Sequence, residues 1–424
     1  MSRNSPLLKK TEETKVFRDP IHGYIRVDYQ ILWDLINSPE FQRLRRIHQL
    51  GGVSMVYHNA EHTRFAHSLG VYEVSRRILQ EVESAARILS EEDQVTVMAA
   101  ALLHDIGHGP FSHFYEALSD ISHEELGMKI ILSENTQINR ILKRADVRLP
   151  EKIVSVLRQE AVPPLMSSII SSQLDADRMD YLLRDAYETG TTYGNFDLER
   201  VIRTLRADEN SLYIKKSGIH SVEDYIMARY QMYFQVYQHP DAYGFELLIS
   251  RFFRRLYELA ENRSHSENGK TDFQMKPLFE DLELLHHPEK MLEDSKIQLL
   301  DETMIYSMIR RALSSNDEIL SDLADRILGR RLFSWIDNPS PEDVEKIRKR
   351  MADHGFRTDI YLDTTEPSVS EYLPYHEESE PIMVMEKDGN KVLLSESSEI
   401  ALALLQVRKP QAVRIYFPRE IGSE

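Results

Sequence analysis

Two imidazoles and two carboxylates stand where polar groups need a reason to be. His67 follows RFA and precedes SLGVYEV, His104 and Asp105 close the apolar run MAAALL, and Asp177 lies within SSQLDADRMDYLL. Polar groups in such surroundings need partners. A divalent cation would satisfy all four at once. The chain has no cysteine, so any metal is held by His and carboxylate. That donor set suits Mn, Fe, Mg, Zn or Co and leaves positions open for water and substrate. Such an ion can lower the pKa of a water from about 15.7 to roughly 7 to 9, which makes a nucleophile available near neutral pH. Taken singly, each piece has an ordinary alternative. With sixteen histidines in the chain, about one His-Asp dipeptide arises by chance. A helical His is usually a satisfied core residue, and Asp177, with Asp175, Arg178 and Asp180 beside it, could cap a helix or form an ion pair. The combination argues for a metal.

The elements that must position these residues are mostly helices. At 424 residues the chain exceeds one average domain. The expected fold is mainly α: an extended N-terminal segment (1–30), a helical catalytic core (31–262), a helical extension (271–352) and a small α+β C-terminal region (353–424). Val16 to Val27, VFRDPIHGYIRV, predicts two strands joined by a turn. From Ile31 onward apolar residues recur three or four apart, as in amphipathic helices. Ser90 before EED predicts an N-cap, and Gly107 after HDI a helix stop. Further helices are expected over 123–133, 150–160, 163–171 and 174–189, with a strand over 211–215. Residues 222–259 predict one long helix or two in succession, interrupted near His239-Pro240. The polar stretch 261–270 is the first plausible boundary, and Asp388-Gly389 sits where a hairpin turn is expected.

Composition narrows the class. Hydrophobic residues make up 42% and charged residues 29%, which is ordinary for a globular protein. The formal charge of -17 argues against a surface built to hold DNA or lipid headgroups, so nucleic-acid and membrane partners are not expected. A local basic pocket is still compatible with it. No apolar run is long enough for a signal peptide or a membrane span, so a cytoplasmic location is the expectation.

In this order, FRDPIHGYI, FQRLRRIHQLGG, RFAHSLG, HDIGHGPFSH, HEELG, DADRMDYLLRD and RYQMYFQVYQH resemble the HD-domain dNTP triphosphohydrolases over roughly residues 15 to 260. The resemblance implies that His67, His104, Asp105 and Asp177 hold one divalent ion. It offers His113 and His123 as donors of a proton to the leaving 5'-oxygen, with Glu116 or Glu124 orienting an imidazole. Arg64, Arg178, Arg229 and Tyr233 are implied for the phosphates, and additional Mg bridging the phosphates is compatible with it. Arg229, Tyr233 and Tyr237 are spaced to share one face of an α-helix; spacing alone favours an aromatic packing stripe, and only the resemblance reverses that. Tyr233 departs from the mammalian pattern, which has His.

Gln49, Leu50, Tyr181, Asp185 and Tyr237 match family positions that meet the sugar and crowd its 2' carbon, which implies preference for deoxyribose. Lys15, Val16, Asn37, Gln42 and Arg45 match a regulatory guanine-nucleotide site (GTP or dGTP) at a subunit junction. Asn37 replaces the Asp of mammalian members and has one fewer acceptor for guanine. Taken alone, Arg43, Arg45 and Arg46 read as a solvated helix face. The activity so implied is hydrolysis of dNTPs to deoxynucleoside and inorganic triphosphate by a homo-oligomer, a tetramer or at least a dimer. Two other readings stay open: another HD-type phosphohydrolase (5'-nucleotidase or phosphodiesterase), and a nucleotide-sensing binding protein with a structural metal.

Overall fold

The computed structural model describes residues 5–264, 275–365, 375–378, 381–407 and 412–422. Helices dominate it. The centre of the core is the helix Arg64–Glu81 (α1), buried along most of its length. It packs against Glu91–Leu103 (α2) and Ala176–Thr189 (α5). The start of α2 is fixed by a reciprocal cap: Ser90 Oγ accepts the Asp93 N–H, and the Asp93 carboxylate accepts the Ser90 N–H. Its interior, VTVMAAALL, is buried throughout, which brings His104 to the helix end inside the protein.

Gly107 does not stop α2, which has already ended at Leu103. Its role is close approach. A Cβ on Gly107 would lie 1.9 Å from the His123 carbonyl oxygen and 2.3 Å from the Gly127 nitrogen. The HDIGH loop thus packs against the helix His123–Leu132 (α4) at a distance only glycine permits. Between them, Phe111 and Ser112 take left-handed φ angles of 55° and 45° just before the short helix His113–Ser119 (α3).

The helix expected over 163–171 is only Leu165–Ser168. Pro164 is its N-cap, and the residue before it, Pro163, is steered out of the α region by the following proline ring, so the helix starts no earlier. Helix α5 begins at its N-cap Asp175, which accepts the Arg178 N–H, and ends at Gly190 with φ +70°. Downstream, Ile219–Met232 (α6) runs into a π-helical turn, Tyr233–Tyr237, before Pro240–Ser264 (α7). The rest of the polar stretch 261–270 lies outside the described residues.

Nine strands form three small sheets among the described residues. Lys10–Asp19 (β1) and Gly23–Tyr29 (β2) make an antiparallel ribbon turned at Gly23, φ +72°. Leu205–Ala207 (β3), Leu212–Lys215 (β4), Met383–Met385 (β7) and Lys391–Leu393 (β8) form a second sheet in that order, with β4 and β7 parallel. The β7–β8 turn carries Gly389 at φ +88°. Phe333–Asp337 (β5), Arg414–Pro418 (β9) and Asp363–Thr364 (β6) form the third sheet, in the order β5-β9-β6. The C-terminal strands are therefore not a unit of their own. β7 extends a sheet begun in the core, and β9 pairs with a strand of the expected helical extension. Among the described residues no helix is long and apolar enough to cross a membrane.

Candidate metal centre

Three helices converge on one point. His67 comes from the first turn of α1, His104 from the end of α2, and Asp177 from the first turn of α5. Ligand atoms of these three lie within 4.8 Å of one another. His67 Nε2 is 3.0 Å from Asp177 Oδ1. His104 Nε2 is 3.6 Å from the same oxygen. Asp105 lies beside this group, with Oδ1 3.2 Å from His104 Nε2 and Oδ2 3.8 Å from His67 Nε2, but only His67, His104 and Asp177 bring ligand atoms mutually within reach of one point. Asp177 is a third exposed on its side chain, so the point opens toward solvent on that side.

The imidazoles are held with the correct nitrogen inward. His67 Nδ1–H donates to Asp180 Oδ2 at 2.8 Å, and His104 Nδ1–H donates to the Ala101 carbonyl at 2.8 Å. Both Nε2 atoms are buried and make no hydrogen bond. Each is left as a lone pair aimed at carboxylates, an arrangement that a cation resolves. Two nitrogen and two carboxylate donors fit a hard-to-borderline divalent ion, and the residues present fit that group. The electrostatics agree. Burial opposes charge on His67, but the surrounding carboxylates of Asp177, Asp180 and Asp105 outweigh it and raise its pKa to about 10. Burial likewise opposes ionised Asp105, yet His104, Arg64 and His108 hold it well below the usual carboxylate range. The pocket draws positive charge.

A second cluster adjoins the first. Burial favours a neutral Glu116, but the His123 ring and backbone N–H, both bonded to its carboxylate, lower its pKa. Glu124 is a distant partner at 3.9 Å and mostly exposed. The link to the metal point is His108, which the motif reading missed although it is the middle histidine of HDIGHGPFSH. Its Nε2 is 3.4 Å from Asp105 Oδ1, and its ring stacks on His123 at 3.8 Å and 13°. His108, Glu116 and His123 have the composition of a metal site. Two nearly parallel stacked rings, however, cannot both aim an in-plane lone pair at one ion, so the cluster suits proton and anion handling better. His113 starts α3; its side chain lies outside the described residues.

Arg64 and Arg178, expected to face phosphate, are engaged elsewhere. Arg64, buried, bonds Asp105 Oδ2 at 2.5 Å and Ser112 Oγ at 2.7 Å, so its guanidinium holds a metal-facing carboxylate. Arg178 pairs with Asp175 and the Ser172 carbonyl. Successive helical residues point about 100° apart, so Arg178 need not follow Asp177 into the cleft. Arg229 is buried, its guanidinium 6.0 Å from the Tyr225 ring centre. The expected stripe of Arg229, Tyr233 and Tyr237 is broken in register by the π turn. Tyr233 Oη accepts from Gln238 at 2.7 Å, whereas Tyr237 Oη donates to Asp185 Oδ2 at 2.7 Å.

Asp185 also meets His62 Nε2 at 2.8 Å, and Tyr181 lies between the His67 and Tyr237 rings, 6.4 and 6.2 Å away. His62, buried and missed from sequence, is thus part of this wall. Gln49 N–H donates to the His62 carbonyl at 2.9 Å, and the buried Gln49 Oε1 has no hydrogen-bond partner. Leu50 is partly buried against the core.

The candidate regulatory residues divide into two places. Lys15 and Val16 lie on β1 opposite Val27 and Arg26. Asn37 ends the helix Gln30–Ile36. Gln42 donates to the Ile36 carbonyl at 2.7 Å and accepts from Arg45 at 2.9 Å. The solvated-face reading of the neighbouring arginines fails at Arg43. That residue is fully buried and donates to the carbonyls of Ile106, His108 and Leu300, so it clamps the HDIGH loop. Arg45 stacks 3.6 Å over Phe65, and Arg46 pairs with Asp301.

Residues 64–185 match the HD domain, and residues 196–276 match the HD associated region. An uncharacterised Bacillus subtilis protein, YwfO, is 38% identical over 419 residues, which cover 97% of this chain and 94% of that one. The chain belongs to the HD-domain family. A Bacteroides thetaiotaomicron phosphohydrolase of known structure superposes on this HD protein with a TM-score of 0.81 at 29% identity, covering 96% of this chain and all of that one. Together with the convergent His and Asp side chains, these likenesses identify an HD-type phosphohydrolase. The deoxynucleoside triphosphate triphosphohydrolase SAMHD1 of Gallus gallus is 28% identical over 385 residues, 82% of this chain and 59% of that protein's length.

Proposed function

We propose that the HD protein hydrolyses deoxynucleoside triphosphates: water adds to the α-phosphorus, the bond to the 5'-oxygen breaks, and deoxynucleoside and inorganic triphosphate leave. The observation that carries this reading is the adjacency of two clusters, His67, His104, Asp105 and Asp177 on one side and His123 with Glu116 on the other, joined through His108. A divalent ion held by the first four would supply Lewis-acid activation of water and phosphate.

The rest is the work of the chain's own residues. Asp180 and the Ala101 carbonyl fix the two imidazoles. Arg64 steadies Asp105. Glu116 accepts the His123 Nδ1–H and so keeps Nε2 as the position that delivers a proton to the departing 5'-oxygen; a placed acid is worth about 10²- to 10⁴-fold. His113 is the alternative acid. Asp185, held by Tyr237 and His62, offers carboxylate oxygen to a 3'-hydroxyl, and Leu50 with Tyr181 leaves a 2'-hydroxyl crowded and unpaired. Arg229 supplies positive charge for the phosphates.

The proposal includes regulation by GTP or dGTP at Asn37, Gln42 and Arg45, with Lys15 and Val16 from the ribbon, in a homo-oligomer. Guanine there has to exchange for the Gln42–Arg45 and Gln42–Ile36 hydrogen bonds. The test is incubation of Mn-loaded protein with single dNTPs and with mixtures containing dGTP or GTP, followed by identification of the phosphate product. Inorganic triphosphate supports the reading, and turnover confined to mixtures supports the regulatory site. Release of monophosphate, or cleavage of a cyclic dinucleotide with dNTPs untouched, supports a nucleotidase or phosphodiesterase instead.

A further inference from the structure

The N-terminal ribbon reaches the metal centre. Its turn, DPIHG, is folded by Asp19, whose Oδ1 accepts the N–H groups of Ile21 at 2.9 Å and His22 at 3.0 Å. The fold of this turn drives the His22 ring inward until its side chain is 2% exposed. There Nε2–H donates to Asp180 Oδ1 at 2.6 Å. Asp180 is fully buried, and its other oxygen accepts the His67 Nδ1–H. Arg184 bonds both Asp180 oxygens at 2.9 Å and reaches Asp19 Oδ2 at 2.9 Å.

Space around Asp180 is closed as well. A Cβ on Gly70 would lie 1.8 Å from Asp180 Oδ1, so any side chain at that position of α1 would displace the carboxylate, and glycine is what lets it sit there. A second tie lies further along the ribbon, where Tyr72 of α1 donates to the Arg26 carbonyl of β2 at 2.6 Å.

We infer that the β1–β2 turn is part of the metal site: His22 and Asp19, acting through Asp180 and Arg184, set the tautomer and angle of His67, so that metal occupancy and docking of the ribbon stabilise one another. His22 is a positioning residue. It acts on the ion only through Asp180, and outer-shell partners of this kind are worth about 10- to 100-fold in metal affinity. The coupling is reciprocal by linkage: whatever ribbon docking adds to metal affinity, the metal adds to ribbon docking. This rests on the reading of His67 as a ligand.

The experiment is a calorimetric titration of the metal-free full-length chain with Mn(II) for wild type, His22→Ala and His22→Gln, with urea unfolding of each. It is paired with hydrogen exchange of residues 10–29 in the wild type with and without Mn(II). The expected result is affinity reduced about 10- to 100-fold in His22→Ala and largely restored in His22→Gln, whose amide keeps an N–H donor, together with slower exchange of the ribbon when Mn(II) is bound. A purely structural His22 would lower the urea midpoint and leave Mn(II) affinity within twofold of wild type, and that outcome overturns the inference. If His22→Ala does not fold, ribbon exchange unchanged by Mn(II) overturns it instead. Wild type that binds no Mn(II) removes the metal centre and the relay together, whereas wild type that binds while His22→Ala is unaltered removes the relay alone.

Discussion

The residues expected to hold the metal and those expected to meet phosphate are built differently. Among the proposed metal ligands, His67 is aimed by Asp180, His104 by the Ala101 carbonyl and Asp105 by Arg64. Of the cations expected to meet phosphate, Arg64 is spent on Asp105 and Ser112 and Arg178 on Asp175 and Ser172. The difference teaches that preorganisation here is concentrated on the reacting centre. For the proposed substrate, triphosphate charge would then be met by cations that arrive with the nucleotide or by exchange of existing ion pairs.

Five substitutions test that contrast. Asp177→Ala carries the largest expected effect: loss of bound metal and of turnover to background, read by metal analysis and phosphate release. Retained metal would show that the first turn of α5 is not a ligand. Next, His123→Ala should keep the metal and lose about 10²- to 10⁴-fold in kcat. His113→Ala is the companion measurement, and whichever variant keeps metal while losing turnover identifies the acid. Metal loss equal to that of Asp177→Ala in both would undo the assignment of an acid cluster separate from the metal.

Arg178→Ala distinguishes structure from phosphate binding. Asp175 is fully buried, and burial, offset mainly by Arg178, raises its pKa to about 6. Removing Arg178 leaves that carboxyl unpaired, with an expected loss of about 1 to 3 kcal/mol of stability, discounted for the partial exposure of the arginine. A raised KM at unchanged stability would return Arg178 to the phosphates.

The smallest effect concerns Glu246, partly buried beneath the QLGG loop, where it accepts the Gly52 N–H. Burial raises its pKa from 4.5 to about 7, with the Gly52 hydrogen bond opposing. A carboxyl raised in the folded state contributes stability that is present below pH 4.5 and is lost as pH rises through 7. Glu246→Gln should therefore match wild type near pH 5 and exceed it near pH 8, by about 1 to 2 kcal/mol in urea unfolding. Parallel pH profiles would contradict this.

How far the sequence could be read follows from the same contrast. Helix periodicity, the Ser90 cap and the ribbon around its Pro and Gly were legible because they are local. The candidate ligands His67, His104, Asp105 and Asp177 could be picked out for the same reason, since polar side chains inside apolar helices are visible one segment at a time. Arg43 was not, because it looks like its neighbours Arg45 and Arg46, and only the loop it clamps from a distance explains it. Gly107 read as a helix stop because its true constraint, the His123 carbonyl, comes from another element. The π turn at Tyr233–Tyr237 inserted a register shift that i, i+4 counting does not anticipate. His62, His108 and His22 went unassigned for a common reason. Each acts through a carboxylate contributed by a different segment, Asp185, Asp105 or Asp180.

The central claim is that four side chains from separate helices share one divalent ion. Anomalous diffraction at the Mn edge from crystals of the Mn-loaded protein tests it most directly. The account predicts one strong peak about 2.0 to 2.4 Å from His67 Nε2, His104 Nε2 and a carboxylate oxygen each of Asp105 and Asp177. A peak held by His108, Glu116 and His123 instead, or none within reach of the four, would contradict it.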